Sequence, residues 1–503
     1  MKLFGLSVLD WIVLVVYVVG IVVLASRFSK GQRRAKDFYL AGQNMSWVSV
    51  GLSAVAAFIS GNTYLGLPSE VRSYGLAFLI IPFSIFLAVP VASLAFAPLY
   101  RGLQVTTVYE YLEKRFNVWV RCLASAMFVI WRLIWLAMVI YVPSLALSAV
   151  TGMPMVPTII VLGLLTTVYT AVGGIEAVIW TDVVQFFVMF GGAILAIWIV
   201  GTHLEGGLAK IWLVASGGGR TQLLEFSFSP TLRMTFWGAL VGGALANLAY
   251  FGVDQVMVQR YLTAKSLRDA QWSIVLTSFG TIVMVVPLAF LGLALYVFYL
   301  HHPNLLPDQI SADKVFPYFV ASQFPSGIVG LLIAAIFAAS MSSLSAGINA
   351  ITTTLDIDFY QRLAKKHSAF LQDQNLPQVR FAQILSLVVG LLTTTMACFI
   401  GRLGTIVEIG LRFIDGFSGP MLGLFLLGMF AKRATSRGAC LGSFFGILTT
   451  TYANFASPIS FTWYPAIGCI TTLLSGYIVS CFGKSADPTG SGWVFSAQRV
   501  EKL

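Results

Sequence analysis

The sequence predicts an all-α polytopic membrane protein of about 13 transmembrane helices, its amino terminus outside and its carboxyl terminus inside. Three observations carry that prediction. The chain of 503 residues is 58% hydrophobic and only 10% charged, too apolar and too sparsely charged for a soluble domain. Apolar stretches of about 20 residues, the length that lets a helix cross the hydrocarbon core, recur from end to end with short polar loops between them. Lys and Arg are sorted by side, with about 22 in the loops after the odd-numbered spans up to the eleventh plus the carboxyl tail, against about 6 on the opposite side. That sorting, rather than nucleic-acid binding, accounts for the formal net charge of +11.

The first span, "DWIVLVVYVVGIVVLASRF", follows an almost uncharged amino terminus and has no small-residue cleavage motif after it, so it reads as a retained helix and not a signal peptide. The basic loop "SKGQRRAKDF" (29–38) then marks the inner side. Spans two to six centre near residues 57, 87, 134, 165 and 192, and a loop of roughly 203–232 follows. Spans seven to nine centre near 245, 284 and 338, with the inner basic stretches "VQRYLTAKSLRD" (258–269) and "FYQRLAKKH" (359–367), and a loop of roughly 299–326 before the ninth. Spans ten to thirteen centre near 390, 418, 446 and 472. Neither long loop is large enough for an independent domain. Residues 483–503 read as a cytoplasmic tail without periodic pattern, which leaves a solute sensor without an output module. The five cysteines lie in or beside apolar runs, are odd in number and form no CxxC, so they read as small buried hydrophobes.

Catalysis is not expected. All four histidines fall in loops, and no HExxH, GxSxG or P-loop is present. A serine-rich helix with no His or Lys at its depth lacks a general base. A channel would repeat a short pore loop across an oligomer, whereas one chain here supplies every span. The pattern favours a carrier.

Helical carriers place their sites where helices are interrupted near the midplane, because unwound carbonyls coordinate cations and freed amides meet anions. The second span, "SVGLSAVAAFISGNTYLGLPSEVRSYG" (49–75), is broken by "SGNT" (60–63), and Gly61 and Asn62 disfavour helix. Carbonyls just before them, such as those of Ala56 and Ile59, lose their intrahelical partners. An alternative reading of the stretch is a small-residue packing face. In the ninth span, "IAAIFAASMSSLSAGINA" (333–350), Ala339, Ser342 and Ser343 stand at i, i+3 and i+4 on one helical face. Two hydroxyls and a carbonyl there, with two carbonyls from the broken span, make five neutral oxygens. That set suits sodium, whereas calcium or magnesium would call for carboxylates. The alternative is that the serines pack closely or bond back to their own helix.

The segments "YTAVGGIEAVIWTDVVQ" (169–185), "AAIFAASMSSLSAGINA" (334–350), "YEYLEKRFN" (109–117), "VQRYLTAKS" (258–266) and "GPMLGLFLLGMFAKRA" (419–434) resemble the signature segments of the sodium/solute symporter family, in the family's order. The resemblance implies the leucine-transporter-type fold with two inverted five-helix repeats. The division would be 1–45 for the first helix and basic loop, 46–203 for repeat one (spans two to six), 204–232 for an external loop, 233–434 for repeat two (spans seven to eleven), 435–482 for two accessory spans and 483–503 for the tail. The Gly-rich "GALVGGALANLAYFG" (238–252) opens the seventh span, the symmetry mate that is expected to be interrupted too.

Residue by residue, the resemblance implies a sodium site from the carbonyls of Ala56, Ile59 and Ala339 and the hydroxyls of Ser342 and Ser343. A second sodium site of some members matches at Asp182 and Ser345, but Ala346 stands where those members have a further hydroxyl. Asp182 could instead serve the ion's exit path, or simply be a helix N-terminal acid. Galactose members carry acid and amide groups where this chain has Thr63 and Pro82, and sialic-acid members an arginine where it has Trp135. The segments 64–75 and 141–152 look most like the branch carrying monocarboxylates, vitamins with a carboxylate tail and small inorganic anions. The candidate substrate contacts are Ser60, Asn62, Thr63, Arg132, Trp135, Asn247 and Tyr250, of which Asn247 and Tyr250 match positions that line or gate the sugar site in galactose members. Tyr250 would be an inner gate or a packing aromatic. Arg132, about half-way along the fourth span, would meet a substrate carboxylate, snorkel to the inner surface, or pair with a protein acid.

The expectation is therefore sodium-coupled import of a small organic solute, most simply a monocarboxylate or related anion, by alternating access. A neutral solute or proton coupling on the same fold are the alternatives. Na+ is the coupling ion and no organic cofactor is expected. The partners are a small-molecule solute, the sodium ion and the lipid bilayer, with no nucleic acid; a monomer suffices, and the location is the plasma (inner) membrane.

Overall fold

The computed structural model describes residues 2–3, 5–28, 35–204, 206–223, 225–307, 310–364, 375–401 and 406–482. Most of the basic stretch 29–38, the end of 359–367 and the tail 483–503 lie outside the described residues. Apart from a two-residue hairpin pairing Lys2–Leu3 with Leu6–Ser7, the regular structure among the described residues is helical. Physically this is expected, since backbone in hydrocarbon must bond to itself.

In chain order the principal helices are α1 (Val8–Arg27), α2 (Trp47–Phe58), α3 (Gly61–Tyr74), α4 (the span Leu76–Leu103), α5 (Val118–Thr151), α6 (Met155–Thr202), α7 (Phe236–Gly252), α8 (Gln255–Leu262), α9 (Leu267–His301), α10 (Ile328–Thr354), α11 (Asn375–Ile400), α12 (Ile406–Phe430), α13 (Ser436–Ala456) and α14 (Tyr464–Phe482). Their starts fall where a short polar residue precedes the apolar run. Ser7, Ser46, Ser60, Asn117, Thr235, Asp254, Ser266 and Thr435 each accept a hydrogen bond from the first turn, satisfying amides that have no partner within the helix.

Eight described helices are long and apolar enough to cross a membrane, or ten if each of two bent pairs is one span. Those pairs are α2 with α3, bent by 60°, and α7 with α8, bent by 51°. Both interrupted spans thus lie where the sequence places them. The first break falls at Ile59 and Ser60, ahead of Gly61 and Asn62, which already belong to the first turn of α3. The capping hydroxyl of Ser60 moves the restart forward by one or two residues relative to the expectation. The fifth and sixth expected spans meet without a loop, as one 48-residue helix bent at Gly174. There φ is 58° and ψ −165°, a conformation open to glycine and strained for any residue with a Cβ.

α10 is the centre of the molecule. Its apolar window is 83% buried, against 22% for α1 at the periphery, and it packs against α1, α2, α3, α5, α6 and α11. Asp10 ties these two helices together at one end. It completes a capping box with Ser7 and accepts the amides of Gly327 and Gly330 at 2.7 and 2.8 Å, just where α10 starts.

Candidate functional site

Most hydroxyls inside the spans bond to their own helix one turn back, as Thr166, Thr170, Thr281 and Thr354 do. Ser342 and Ser343 also reach out. The Ser342 hydroxyl donates to the Ala56 carbonyl at 2.8 Å and is 3.1 Å from the Ala339 carbonyl, and the Ser343 hydroxyl donates to the Ala57 carbonyl at 3.0 Å. They meet the last turn of α2, where the helix break frees carbonyls. There the Val55 carbonyl is taken by the Ile59 amide and that of Phe58 by the Ser60 amide, leaving those of Ala56 and Ala57 to the serines.

Ala56, Ala339 and Ser342 are thus in direct hydrogen-bond contact, with Ser343 one carbonyl along and Ile59 at the break itself, its ψ of 87° ending the helix. All five are buried. The donors are neutral oxygens, and a hydroxyl can turn its hydrogen aside and offer a lone pair, so the set fits a weakly charged hard cation. Ala57 was not expected from sequence; its place one residue from Ala56 was the only signal.

Asp182 is fully buried in the interior of α6, which sets aside the helix N-terminal reading. One carboxylate oxygen accepts from the Ser53 hydroxyl at 2.7 Å and from the Arg260 guanidinium at 2.8 Å. Arg260 also donates to Ser53 and to the Val256 carbonyl. The other carboxylate oxygen of Asp182 has no protein partner, nor has Oε1 of Gln185 one turn on. Ser345 donates to the Ser342 carbonyl at 3.0 Å. Arg260 was counted among the basic residues of the inner loops, but it lies within α8 and is 1% exposed. Its signal was a lone arginine continuing an interrupted span, where a buried charge calls for an acid.

Arg132 pairs with a protein acid. Its guanidinium touches the Asp254 carboxylate, both groups being buried, and it lies 5.0, 5.7 and 6.0 Å from the ring centres of Trp131, Tyr250 and Phe128. The other Asp254 oxygen accepts the Val256 amide at 2.9 Å and caps α8. Asp254 thereby fastens the second break to α5. Sequence reasoning passed over it, although an acid directly after "AYFGV" and before a helical run is an N-cap pattern. The Tyr250 ring meets Phe58 edge-on, centroids 4.8 Å apart, so the two breaks touch through their aromatics.

The remaining expected contacts are spread out. Ser60 and Thr63 face each other at the start of α3, hydroxyls 3.4 Å apart. Both polar atoms of the Asn62 amide are buried without a partner, as is the Ser340 hydroxyl. Gly61 lies against Ser340 so closely that a Cβ would overlap its hydroxyl. Asn247 donates to the Ile81 carbonyl at 3.2 Å and to the Ser84 hydroxyl at 3.1 Å, against α4. Trp135 is half-buried, one helical turn from Arg132, and packs on the main apolar core.

Outside the spans, Glu113 gathers Arg121 at 2.7 Å and Arg362 at 2.6 Å. Burial pushes its carboxyl up, but the two arginines outweigh this and hold it below the ordinary glutamate value.

The sodium:solute symporter family profile matches residues 38–446. The chain is 30% identical over 488 residues to the sodium/sialic acid symporter SiaT of Proteus mirabilis, spanning 95% of this chain and 96% of that one. It is 34% identical over 432 residues to the human sodium-coupled monocarboxylate transporter 1, covering 85% and 70%. Among solved structures, a substrate-bound, outward-open Na+-coupled sialic acid symporter superposes with a TM-score of 0.89 at 30% identity, covering 96% of this chain and 99% of that one. The nucleobase-cation-symport transporter Mhp1, at 13% identity and a TM-score of 0.57, shares the fold. The matched interval takes in both helix breaks and the serines of α10 that meet the first, and by it this chain belongs to the sodium:solute symporter family.

Proposed function

We propose that this chain imports a monocarboxylate or related small organic anion by alternating access, driven by sodium bound among Ala56, Ile59, Ala339, Ser342 and Ser343. Sodium-coupled symport is the activity of the family, and the chain is a transporter rather than an enzyme. The observation that carries the ion site is the Ser342–Ala56 contact across the first break. Ion binding there joins α2 to α10, so it favours the arrangement in which the two helices are closed on the solute, and this coupling draws solute in with the ion. An anionic solute is supported by relatives named for sialic acid, monocarboxylates and iodide. It is also supported by the α3 N-terminus, where the unpartnered side-chain amide of Asn62 offers donors to a carboxylate.

A neutral solute is the second reading, favoured by one observation. Arg132 is already neutralised by Asp254 and presents less field to a carboxylate than a free guanidinium would.

We also place the amino terminus outside, the carboxyl terminus inside, and the protein in the plasma membrane as a self-sufficient monomer, with inverted repeats over 46–203 and 233–434. Thirteen crossings follow when α6, about 72 Å long at 1.5 Å per residue, crosses twice about Gly174, and α12 and α13 are added to the ten. The test is uptake into proteoliposomes driven by a sodium gradient alone at equal pH, across a panel of small carboxylates, sugars and amino acids. Sodium-dependent accumulation of a carboxylate is expected. Accumulation of neutral solutes only overturns the anion assignment, and accumulation without sodium overturns the cage.

A further inference from the structure

Beyond the cage, α10 and the π-helical segment Leu355–Ala364 that continues it carry a row of polar side chains that the cage does not use. Ser345, Asn349 and Thr353 follow at intervals of four residues and so share one face of α10, and Asp356 stands three residues on, in the π-helical segment. None is more than 1% exposed. The row starts one turn from the cage, where Ser345 bonds to the Ser342 carbonyl. Gln259 on α8 spans its middle, its amide nitrogen standing 2.8 Å from Asn349 Oδ1, 3.0 Å from Thr353 Oγ1 and 2.8 Å from the Tyr39 carbonyl. Two amide hydrogens face three acceptors, so they are shared among the three oxygens. Asn349 Nδ2, buried in the same place, has no partner.

The row ends at a cavity. The Tyr39 hydroxyl donates to Asp356 at 2.7 Å and Gln361 Nε2 to the same oxygen at 2.9 Å. Tyr39 and Gln361 also line a space of about 270 Å³ together with Gln43, Gln104, Thr106 and Gln378. That space has room for several waters. Tyr39 directly follows in sequence the basic stretch 29–38, and Gln361 belongs to 359–367, the stretches that the sequence assigns to the inner side.

Packing alone does not account for this row. Buried polar side chains in a span are expensive and are kept where an ion or proton must pass, and a chain of oxygens that share their donors offers an ion successive partners without a deep well. We propose that the row from Ser345 to Asp356 is the path by which sodium leaves the cage, and that the glutamine-lined cavity is a low-affinity site for a partly hydrated monovalent cation at its inner end. Amide and hydroxyl oxygens of the row and of the cavity replace part of the ion's water shell. The proposal rests on the reading of the cage as the sodium site.

The test is sodium-22 exchange in proteoliposomes holding the full-length protein in one orientation, with sodium varied on one side at a time. Asp356→Asn is expected to raise the half-saturating sodium on the inner side about threefold, the effect of one screened charge, and to leave the outer side unchanged. Gln378→Glu adds a charge at the half-buried rim without touching the row, and is expected to lower the inner value. A purely structural role for Asp356 would shift both sides together, and that result overturns the proposal. So does an inner value unmoved by Gln378→Glu, which decides the matter alone should Asp356→Asn fail to fold. Exchange that does not saturate with sodium on either side overturns the cage itself, a result distinct from failure of the path.

Discussion

Ser342 and Ala56, 286 positions apart in the chain, are joined by a 2.8 Å hydrogen bond from a span hydroxyl to a carbonyl freed by a helix break. The bond is between groups that could equally face an ion. Ser342→Ala removes one oxygen of the set, and a hydrogen-bond-scale interaction with a charge is worth about 1.5–3 kcal/mol. The half-saturating sodium for uptake is therefore expected to rise about tenfold or more. Ser343→Ala is expected to act in the same direction. An unchanged sodium dependence in the double variant would sink the cage.

Arg132 and Asp254 form a buried pair, and removing either partner strands a charge. Asp254→Asn and Arg132→Gln are each expected to destabilise the protein by about 3–5 kcal/mol, while the double variant recovers much of the loss. Melting in detergent measures this. In uptake, Arg132→Gln is expected to raise the half-saturation of an anionic solute more than that of sodium. Equal losses for anionic and neutral solutes would restrict Arg132 to holding the second break.

Gly61 and Ser340 are in such close contact that a methyl at 61 cannot be added without displacing the hydroxyl. Gly61→Ala is expected to cost about 1–3 kcal/mol by overpacking. Adding Ser340→Gly should restore the melting temperature, because it removes the overlapping atom. No recovery would mean that the backbone at the break, rather than Ser340, rejects the side chain.

Glu113 supplies a pH dependence outside the spans. Its carboxyl is depressed in the folded protein, so its contribution to stability is fully present above the ordinary value of 4.5 and is lost as pH falls through the lower folded value. Glu113→Gln removes the contribution at neutral pH. The difference in melting temperature between wild type and variant should therefore be steady from pH 7 to about pH 5 and shrink below it. A difference growing toward acid would contradict the sign of the shift.

What the sequence determined by itself was whatever is encoded over one or two helical turns. Apolar length set the spans, the hydroxyl spacing of Ser342 and Ser343 set one face of α10, and "SGNT" and the Gly-rich run before Asp254 set the two breaks, because in hydrocarbon the backbone's own hydrogen bonding overrides other contacts. Local signals blurred where a cap competes with a glycine, so the first break fell at Ile59 and not at Gly61. They also blurred at Gly174, where one bend replaced an expected loop. Only the tertiary structure decided which charges meet. Asp182 with Arg260, Arg132 with Asp254, and Ser343 with Ala57 rather than Ala56 are pairings between distant segments. A buried charge announces from sequence that it needs a partner, but several acids and arginines satisfy that need equally, and helix packing alone selects among them.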